Sequence, residues 1–258
     1  MDRLTVNNLE YGYFDEKNVI ENINICAEAG KFTGIIGGNG SGKSTLLKCI
    51  YGALKPQKGE IVLDNKNLAD MSPKQLASNI AVVGQENEFA FDFTVWEMVA
   101  MGRTPHKGLF QPDNAKDKKI VAGALQKTGM YDLRNRSFRQ LSGGEKQRVI
   151  IARAIAQSAE LMILDEPTNH LDISYQLHTF ETVKELGVTV LAAMHDLNLA
   201  SLFCDKIYIL KDKKVFAAGS PEEILTAKNI EEVFGVRAEV RTSDETRKSV
   251  VSYIPYLH

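Results

Sequence analysis

The sequence has few cysteines, and they form no recognisable pair. Cys26, Cys49 and Cys204 are odd in number, lie far apart and lack a CxxC spacing. Disulfide frameworks and zinc sites depend on paired cysteines at characteristic spacings, so this pattern argues against both. We therefore predict three buried, reduced thiols in a cytosolic protein.

The sequence also lacks a segment that could cross a bilayer. Its longest apolar stretches, such as residues 188–194, are far shorter than the roughly 20 residues that a spanning helix needs. Charged residues such as Asp2, Arg3 and Glu10 interrupt the N-terminal segment, so we expect no secretion signal. Any membrane association is therefore expected to come through a partner.

Excess charge of one sign is missing as well. The net charge is −2, the pI is near 6.2, and no polybasic run occurs. Such a chain has neither the basic footprint of a general nucleic-acid binder nor a segment suited to anionic lipid. What the sequence does have is 258 residues with 44% apolar content, enough for a substantial core in one domain or two closely packed subdomains.

Apolar periodicity predicts an α/β fold. Alternation around residues 4–6 and 19–25 predicts an antiparallel hairpin or meander at the N-terminus. Further strands are predicted at residues 31–37, 60–63, 80–83, 161–164 and 188–193, and a hairpin at 206–218. Because strands alternate with helices, the main sheet is expected to be mostly parallel.

Helical patterns are concentrated in the middle of the chain. They occur at residues 44–54, 95–101, 117–128 and 145–156, with a short helix opened by Ser220 through a capping box that Glu223 completes. Residues 86–160 contain no convincing strand, so we interpret them as a mostly helical insertion in the α/β core. Residues 236–258 are polar and weakly patterned, and the sequence assigns them no role.

One glycine-rich segment carries the strongest chemical signal. It fits the pattern G-x-x-x-x-G-K-[ST] and consists of Gly37, Gly38, Asn39, Gly40, Ser41, Gly42, Lys43 and Ser44. Glycines let backbone N–H groups surround phosphates at the start of the following helix. Lys43 can reach the β- and γ-phosphates, and Ser44 can ligate Mg²⁺. A glycine-rich turn with a stray lysine is the alternative.

A second signal is the pair of carboxylates after an aliphatic strand. A buried strand at residues 161–164 would deliver Asp165 to the carboxyl edge of the sheet, where it could approach Mg²⁺. Glu166 follows and could polarise an attacking water. The alternative is a core strand that ends in a solvated acidic turn.

A third signal is Leu141–Glu145, where Ser142, Gly143 and Gly144 open a helix. A serine hydroxyl and free backbone N–H groups at a helix N-terminus form an anion site, although an ordinary helix cap has the same residues. Either the chain binds two phosphates separately, or this site serves a nucleotide held by another copy.

In this order the motifs resemble those of the ATP-binding cassette (ABC) ATPases, over roughly residues 2–235. The resemblance implies that residues 1–235 form one ATPase domain, with a helical subdomain at about 86–160 and a separate tail at 236–258. It also implies ATP and Mg²⁺ as ligands. The implied nucleotide-binding residues are Tyr13 or, with a shifted register, Tyr11, together with the glycine-rich loop, Thr45 and, across a dimer interface, Ser142, Gly143, Gly144 and Asp172.

The resemblance further implies roles in hydrolysis. Glu166 would be the general base, Gln85 would contact Mg²⁺ with Ser44 and Asp165, and His195 would touch the γ-phosphate. Two copies would pack head to tail and share two ATP molecules. Many members of the family have proline where this chain has Gly38 and Gly84. Neither position supplies a catalytic group, so activity is expected to survive.

Residues 93–97 and 101–108 resemble a segment of importers for iron-siderophore, haem and cobalamin. The resemblance implies integral membrane permease subunits as partners, a substrate-binding protein indirectly, no nucleic acid, and a peripheral location on the cytoplasmic face of the cell membrane. A zinc or manganese importer ATPase is one alternative. Others are a soluble ABC ATPase that acts on ribosomes or DNA, and a regulatory NTP-binding module without turnover.

Overall fold

The structure, a computed structural model, describes residues 1–13, 18–84, 91–108, 111–167 and 172–255. The chain divides into two compact units. The first comprises Met1–Asp70 and Thr189–His258, and the second comprises Met71–Val188. Within the described ranges, every helix is too short or too polar to cross a lipid bilayer.

The secondary structure follows the predicted alternation of strands and helices. The strands are β1 (Asp2–Tyr11), β2 (Ile20–Glu28), β3 (Phe32–Gly37), β4 (Lys58–Leu63), β5 (Lys66–Asn67), β6 (Ile80–Val83), β7 (Leu161–Asp165), β8 (Thr189–Ala193), β9 (Lys206–Lys211), β10 (Lys214–Gly219), β11 (Arg237–Thr242) and β12 (Ser249–Ile254). The helices are α1 (Lys43–Ile50), α2 (Pro73–Asn79), α3 (Val95–Ala100), α4 (Ala115–Lys127), α5 (Gly143–Gln157), α6 (Ile173–Glu185), α7 (Leu197–Phe203), α8 (Pro221–Ile224) and α9 (Ala227–Phe234).

The first unit contains an antiparallel sheet near the N-terminus, as the alternating pattern predicts. Its strand order is β2-β1-β4-β5. In β1 the side chains of Leu4, Val6 and Leu9 are buried, while their neighbours are more exposed. This alternation turns one face of each strand towards a core.

The same unit contains strands in the order β10-β9-β3-β8. Strand β3 lies between β8 and β9 and is parallel to both, whereas β9 and β10 form the predicted antiparallel hairpin. All six residues of β3 are buried, as are all five of β8. Central parallel strands are covered on both faces, which explains their continuous apolar character.

The second unit consists mainly of helices, with β6 and β7 as a parallel pair. Helices α3 and α4 both pack against α5, through buried side chains that include Met98, Leu125 and Val149. The predicted helices and strands of this region are therefore confirmed. The parallel pairings of β3 and of β6 also confirm the mostly parallel α/β class.

Several local features differ from the sequence predictions. Helix α1 ends at Ile50 and not at residue 54, because Gly52 adopts a left-handed conformation with φ 79°. The segment after 236, which the sequence left unassigned, forms the hairpin of β11 and β12. Cys49 and Cys204 are buried as predicted, but Cys26 is only half-buried, so the prediction of three buried thiols is wrong for that residue.

An ion pair lies inside the helical unit. The Arg103 guanidinium donates to Asp117 at 3.0 Å and to the carbonyl of Ala156 at 2.8 Å. Arg103 and Asp117 are only 6% and 4% exposed. The hydrogen bond from Arg103 holds the pKa of the Asp117 carboxyl below its usual range.

Because of this ion pair, we expect the free energy of unfolding to decrease at low pH as the Asp117 carboxyl becomes protonated. Its contribution is complete above the unfolded-state pKa of ~3.9 and is lost as the pH falls through the lower folded-state pKa. Urea unfolding of the wild type and of Asp117→Asn should therefore give midpoints that differ near neutral pH and converge in strong acid. A gap that stays constant across this range would contradict the assignment.

Candidate functional site

The glycine-rich loop joins the buried strand β3 to helix α1. Gly42 occupies the N-cap position of α1 with φ 98°, a left-handed conformation that favours glycine. A glycine cap offers no side chain to bond the first N–H groups of the helix. Elsewhere Ser72, Thr94 and Asn114 cap their helices with side-chain oxygens. The start of α1 therefore has no side-chain cap, and a helix N-terminus of this kind suits an anion that supplies oxygens.

Lys43 is folded back into this loop. Its ammonium donates to the carbonyls of Gly37 at 2.9 Å and Gly38 at 3.1 Å, and the residue is only 5% exposed. A buried charge needs compensating partners. The loop thus curves around one positive charge, the arrangement expected of a phosphate cradle.

The serine of the loop adds a second polar group. Within the described residues, the buried Ser41 hydroxyl has no hydrogen-bond partner. The backbone N–H of Ser41 donates to the carbonyl of Gly38 at 3.2 Å and closes a tight turn. A helix start without a side-chain cap, a buried ammonium and an unsatisfied hydroxyl together fit a bound phosphate group.

Tyr13 lies beside the first turn of α1. Its hydroxyl is 3.4 Å from the Thr45 hydroxyl, within hydrogen-bonding distance. Its ring packs edge-to-face with Tyr11 at 5.0 Å between centroids. The structure therefore brings both candidate aromatic residues close to the glycine-rich loop.

His195 emerges at the same edge of its sheet as the glycine-rich loop. In the parallel pairing of β3 with β8, Ile35 lies opposite Ala193, and the N–H of Met194 donates to the carbonyl of Ile35 at 3.0 Å. Gly37 lies two residues after Ile35, and His195 lies two residues after Ala193. The His195 side chain is exposed, so it can reach a ligand held at this edge.

The second unit carries the acidic pair. Asp165 ends the buried strand β7 and is 9% exposed. Glu166 follows with φ 53°, a left-handed conformation that costs a non-glycine residue about 1–2 kcal/mol. Strained residues of this kind cluster at functional sites. Gln85, which follows β6, lies outside the described residues.

Ser142 forms a full capping box at the start of α5. Its hydroxyl accepts from the N–H of Glu145 and donates to the Glu145 carboxylate, which also accepts from the N–H of Ser142 at 2.8 Å. These bonds from Ser142 lower the pKa of the Glu145 carboxyl. The helix cap and the anion site that the sequence left open thus use the same residues, and a phosphate would have to share the Ser142 hydroxyl with Glu145.

Asp172 occupies the N-cap position of α6 and is exposed. Among the described residues its carboxylate makes no capping hydrogen bond. The rest of its motif, residues 169–171, lies outside the described part of the chain. The neighbouring Ile173 is 74% exposed.

A family model described as "ABC transporter" matches residues 20–169, more than half of the chain. This chain belongs to the ABC transporter family.

Individual relatives support the family assignment. The chain is 39% identical to the iron(3+)-hydroxamate import ATP-binding protein FhuC of Bacillus subtilis, over 97% of this chain and 94% of that protein. It is 39% identical to the ferric enterobactin transport ATP-binding protein FepC of Escherichia coli, over 92% and 89%. It is 40% identical to YvrA of Bacillus subtilis, an uncharacterised ABC transporter ATP-binding protein, over 96% of this chain but only 57% of that protein.

Solved structures of ABC proteins share the fold. A metal-chelate type ABC transporter in an inward-facing conformation superposes with a TM-score of 0.85, at 28% identity and 98% coverage of each chain. A dimeric post-hydrolysis state of the ATP-binding cassette MJ0796, bound to ADP and Pi, gives a TM-score of 0.74 at 29% identity, over 84% of this chain and 98% of that one. ABC domains of this fold therefore bind nucleotide and form dimers.

The glycine-rich loop leaves no room for a larger residue at Gly42. A Cβ atom at Gly42 would lie 2.5 Å from the Ile20 side chain and 3.1 Å from the Val19 carbonyl. We expect Gly42→Ala to lower the free energy of unfolding by roughly 2 kcal/mol through clash and left-handed strain. Urea denaturation measures this loss. In α4 a Cβ at Gly123 meets nothing within 4 Å, so the control Gly123→Ala should be neutral or slightly stabilising.

Sequence reasoning missed one group of residues near this site. Asp196 caps α7 by accepting from the N–H groups of Asn198 and Leu199. The Asn198 side chain then bonds the C-terminal hairpin. An aspartate before an apolar run is a recognisable N-cap signal, whereas the link to the hairpin has no local signature.

Proposed function

We propose that this chain is the ATP-binding and ATP-hydrolysing subunit of an ABC importer. It would energise uptake of a metal chelate, namely an iron-siderophore, haem or cobalamin, through a separate membrane permease. The observation that carries this proposal is the loop folded around the buried Lys43. The similarity to FhuC over nearly the full length of both chains supports the importer branch.

The proposed nucleotide site uses the loop for phosphates and an aromatic ring for the base. Backbone N–H groups of Gly38–Thr45 and the Lys43 ammonium would bind the β- and γ-phosphates. Tyr13, next to Thr45, would stack on adenine, with Tyr11 as the alternative. Mg²⁺, held by oxygens of Ser44, Gln85 and Asp165, would neutralise charge on the phosphates when bound.

The proposed chemistry is in-line hydrolysis of the γ-phosphate. Glu166 would accept a proton from the attacking water while the water oxygen bonds to the γ-phosphorus. The bond between the γ-phosphorus and the β-γ bridging oxygen would break, which releases ADP and inorganic phosphate. His195 would hold the γ-phosphate and the water in line. Lys43 would stabilise the charge that develops on the transferring group.

A second copy of the chain would complete each site. Ser142, Gly143, Gly144 and Asp172 of that copy would approach the γ-phosphate held by the first. ATP would then join the two copies, and hydrolysis would release them. The dimeric MJ0796 structure with ADP and Pi supports such an assembly.

Membrane association would come through the partner. We propose a peripheral location on the cytoplasmic face, bound to a permease that receives chelate from a substrate-binding protein. The ATPase domain would comprise residues 1–235, with its helical subdomain at about 86–160. The tail at 236–258 would follow that domain, and the sequence gives it no role.

Affinity purification of the tagged chain from detergent-solubilised membranes tests this proposal. We expect a polytopic permease to co-purify in stoichiometric amount. Deletion of the gene should abolish uptake of labelled iron-siderophore, haem or cobalamin, and the wild-type chain should restore it. Co-purification with ribosomes or DNA, or uptake loss confined to zinc or manganese, would contradict it.

A further inference from the structure

The C-terminal hairpin is bonded to helix α7 by one asparagine. Asn198 donates from Nδ2 to the carbonyl of Val251 at 3.2 Å, and the N–H of Val251 donates to Asn198 Oδ1 at 2.7 Å. A side-chain amide has the same donor and acceptor as a peptide group. Asn198 therefore pairs with the edge of β12 as a neighbouring strand would.

This pairing lies close in sequence to His195. On one side of His195, Met194 is held by the carbonyl of Ile35. On the other, the Asp196 carboxylate accepts from the N–H groups of Asn198 at 2.8 Å and Leu199 at 2.9 Å. His195 thus lies in a short segment between these two anchors, and its side chain is exposed.

A second hairpin residue interacts with the same segment. Partial burial raises the pKa of the Tyr253 hydroxyl, and the nearby Asp196 carboxylate raises it further. Tyr253 and Val251 both belong to β12. The hairpin therefore bonds α7 at Asn198, the third residue after His195.

Helix α7 needs such external support. It has only seven residues, whereas isolated helices shorter than about 12 residues are marginal in water. Val251 is 4% exposed and Leu197 is 2% exposed, so side-chain burial accompanies the hydrogen bonds. The hairpin therefore adds support at the start of α7, next to Asp196, which anchors the segment that follows His195.

We propose that Asn198 is a positioning residue for His195 and that the hairpin of β11 and β12 holds the histidine segment through it. The inference rests on the proposed function, in which His195 contacts the γ-phosphate. A misplacement of 1 Å near a reacting group can lower a rate by about 100-fold. Because His195 keeps its anchor at Met194, we expect a smaller loss of about tenfold in kcat.

The test compares three variants of the full-length chain. Asn198→Leu removes both hydrogen bonds at similar volume, and Asn198→Asp keeps the acceptor for the Val251 N–H. The matched control is Asn229→Leu, because the Asn229 amide donates to the Ile224 carbonyl at 2.8 Å and not to the hairpin. We expect kcat to fall about tenfold in Asn198→Leu and less in Asn198→Asp, with KM for ATP within about twofold of wild type and Asn229→Leu close to wild type.

A histidine-labelled NMR spectrum gives a readout that does not need turnover. The His195 signal should shift or broaden in Asn198→Leu, while that of His106, bonded to the Gln157 carbonyl, stays in place. If the wild type has no ATPase activity, the proposed function is refuted. The spectrum then still tests whether Asn198 positions His195. The inference is overturned if a folded Asn198→Leu keeps both kcat and the His195 signal, or if Asn229→Leu changes them equally. If Asn198→Leu fails to fold, the same criteria apply to Asn198→Asp.

Discussion

Glu166→Gln is expected to bind MgATP as tightly as the wild type and to hydrolyse it about 10²–10⁴ times more slowly, the usual contribution of a general base. Glutamine keeps the length and shape of the side chain but cannot accept the proton of the attacking water. Like glutamate, glutamine has a Cβ atom, so the strain of the left-handed backbone at this position, φ 53°, is the same in both proteins. The change therefore tests charge without adding new strain.

Single-turnover hydrolysis measures the loss of rate. Sedimentation with ATP measures the dimer that bound, uncleaved nucleotide should hold together. With ATP the variant should accumulate as a dimer, because the nucleotide that joins the copies is no longer cleaved. Glu160→Gln is the matched control, since Glu160 is exposed and immediately precedes β7, at the opposite end from Glu166. Wild-type turnover in Glu166→Gln would show that another group is the base.

Lys43→Ala is expected to weaken MgATP binding by about 10- to 100-fold and to reduce turnover to background. Hydrogen bonds to a charged group contribute about 1.5–3 kcal/mol each, and the ammonium is the charge around which the loop folds. Alanine removes that charge and leaves the carbonyls of Gly37 and Gly38 without their donor. The loss should therefore affect both loop geometry and phosphate affinity.

Equilibrium binding of a fluorescent ATP analogue, measured beside steady-state hydrolysis, separates these effects. Lys48→Ala is the control, because Lys48 lies in the last turn of the same helix. Its loss should leave binding and turnover near the wild-type level. Unchanged hydrolysis in Lys43→Ala would refute the proposed site altogether.

Much of the candidate site could be proposed from the sequence because its motifs are local. The glycines of the loop, the strand before it and the helix after it are consecutive in the chain, so one segment specifies the whole turn. The carboxylates after β7 are predictable for the same reason. The capping box of α5 is also local, and the structure shows that the Ser142 hydroxyl donates to the Glu145 carboxylate, as the alternative of an ordinary helix cap predicts.

The C-terminal hairpin was missed because its pattern is weak. In β11 the buried Ala238 alternates with the exposed Arg237, Glu239 and Arg241, but alanine is a small signal among polar residues. Helix α7 is short and apolar, which does not distinguish it from a strand. The two elements pack against each other, and contact between distant segments leaves no trace in local periodicity.

By itself, the sequence determined most of the strands, several helices and the segments that carry the candidate chemistry: a glycine-rich loop after a buried strand, an acidic strand end, and a histidine after a buried strand. These depend on neighbouring residues, whose propensities and hydrogen bonds act over one or two turns. The tertiary structure alone decided that β3 lies between β8 and β9, which brings Gly37 and His195 to one edge. It alone decided that Asn198 pairs with Val251, because contacts between distant residues depend on how buried surfaces fit together.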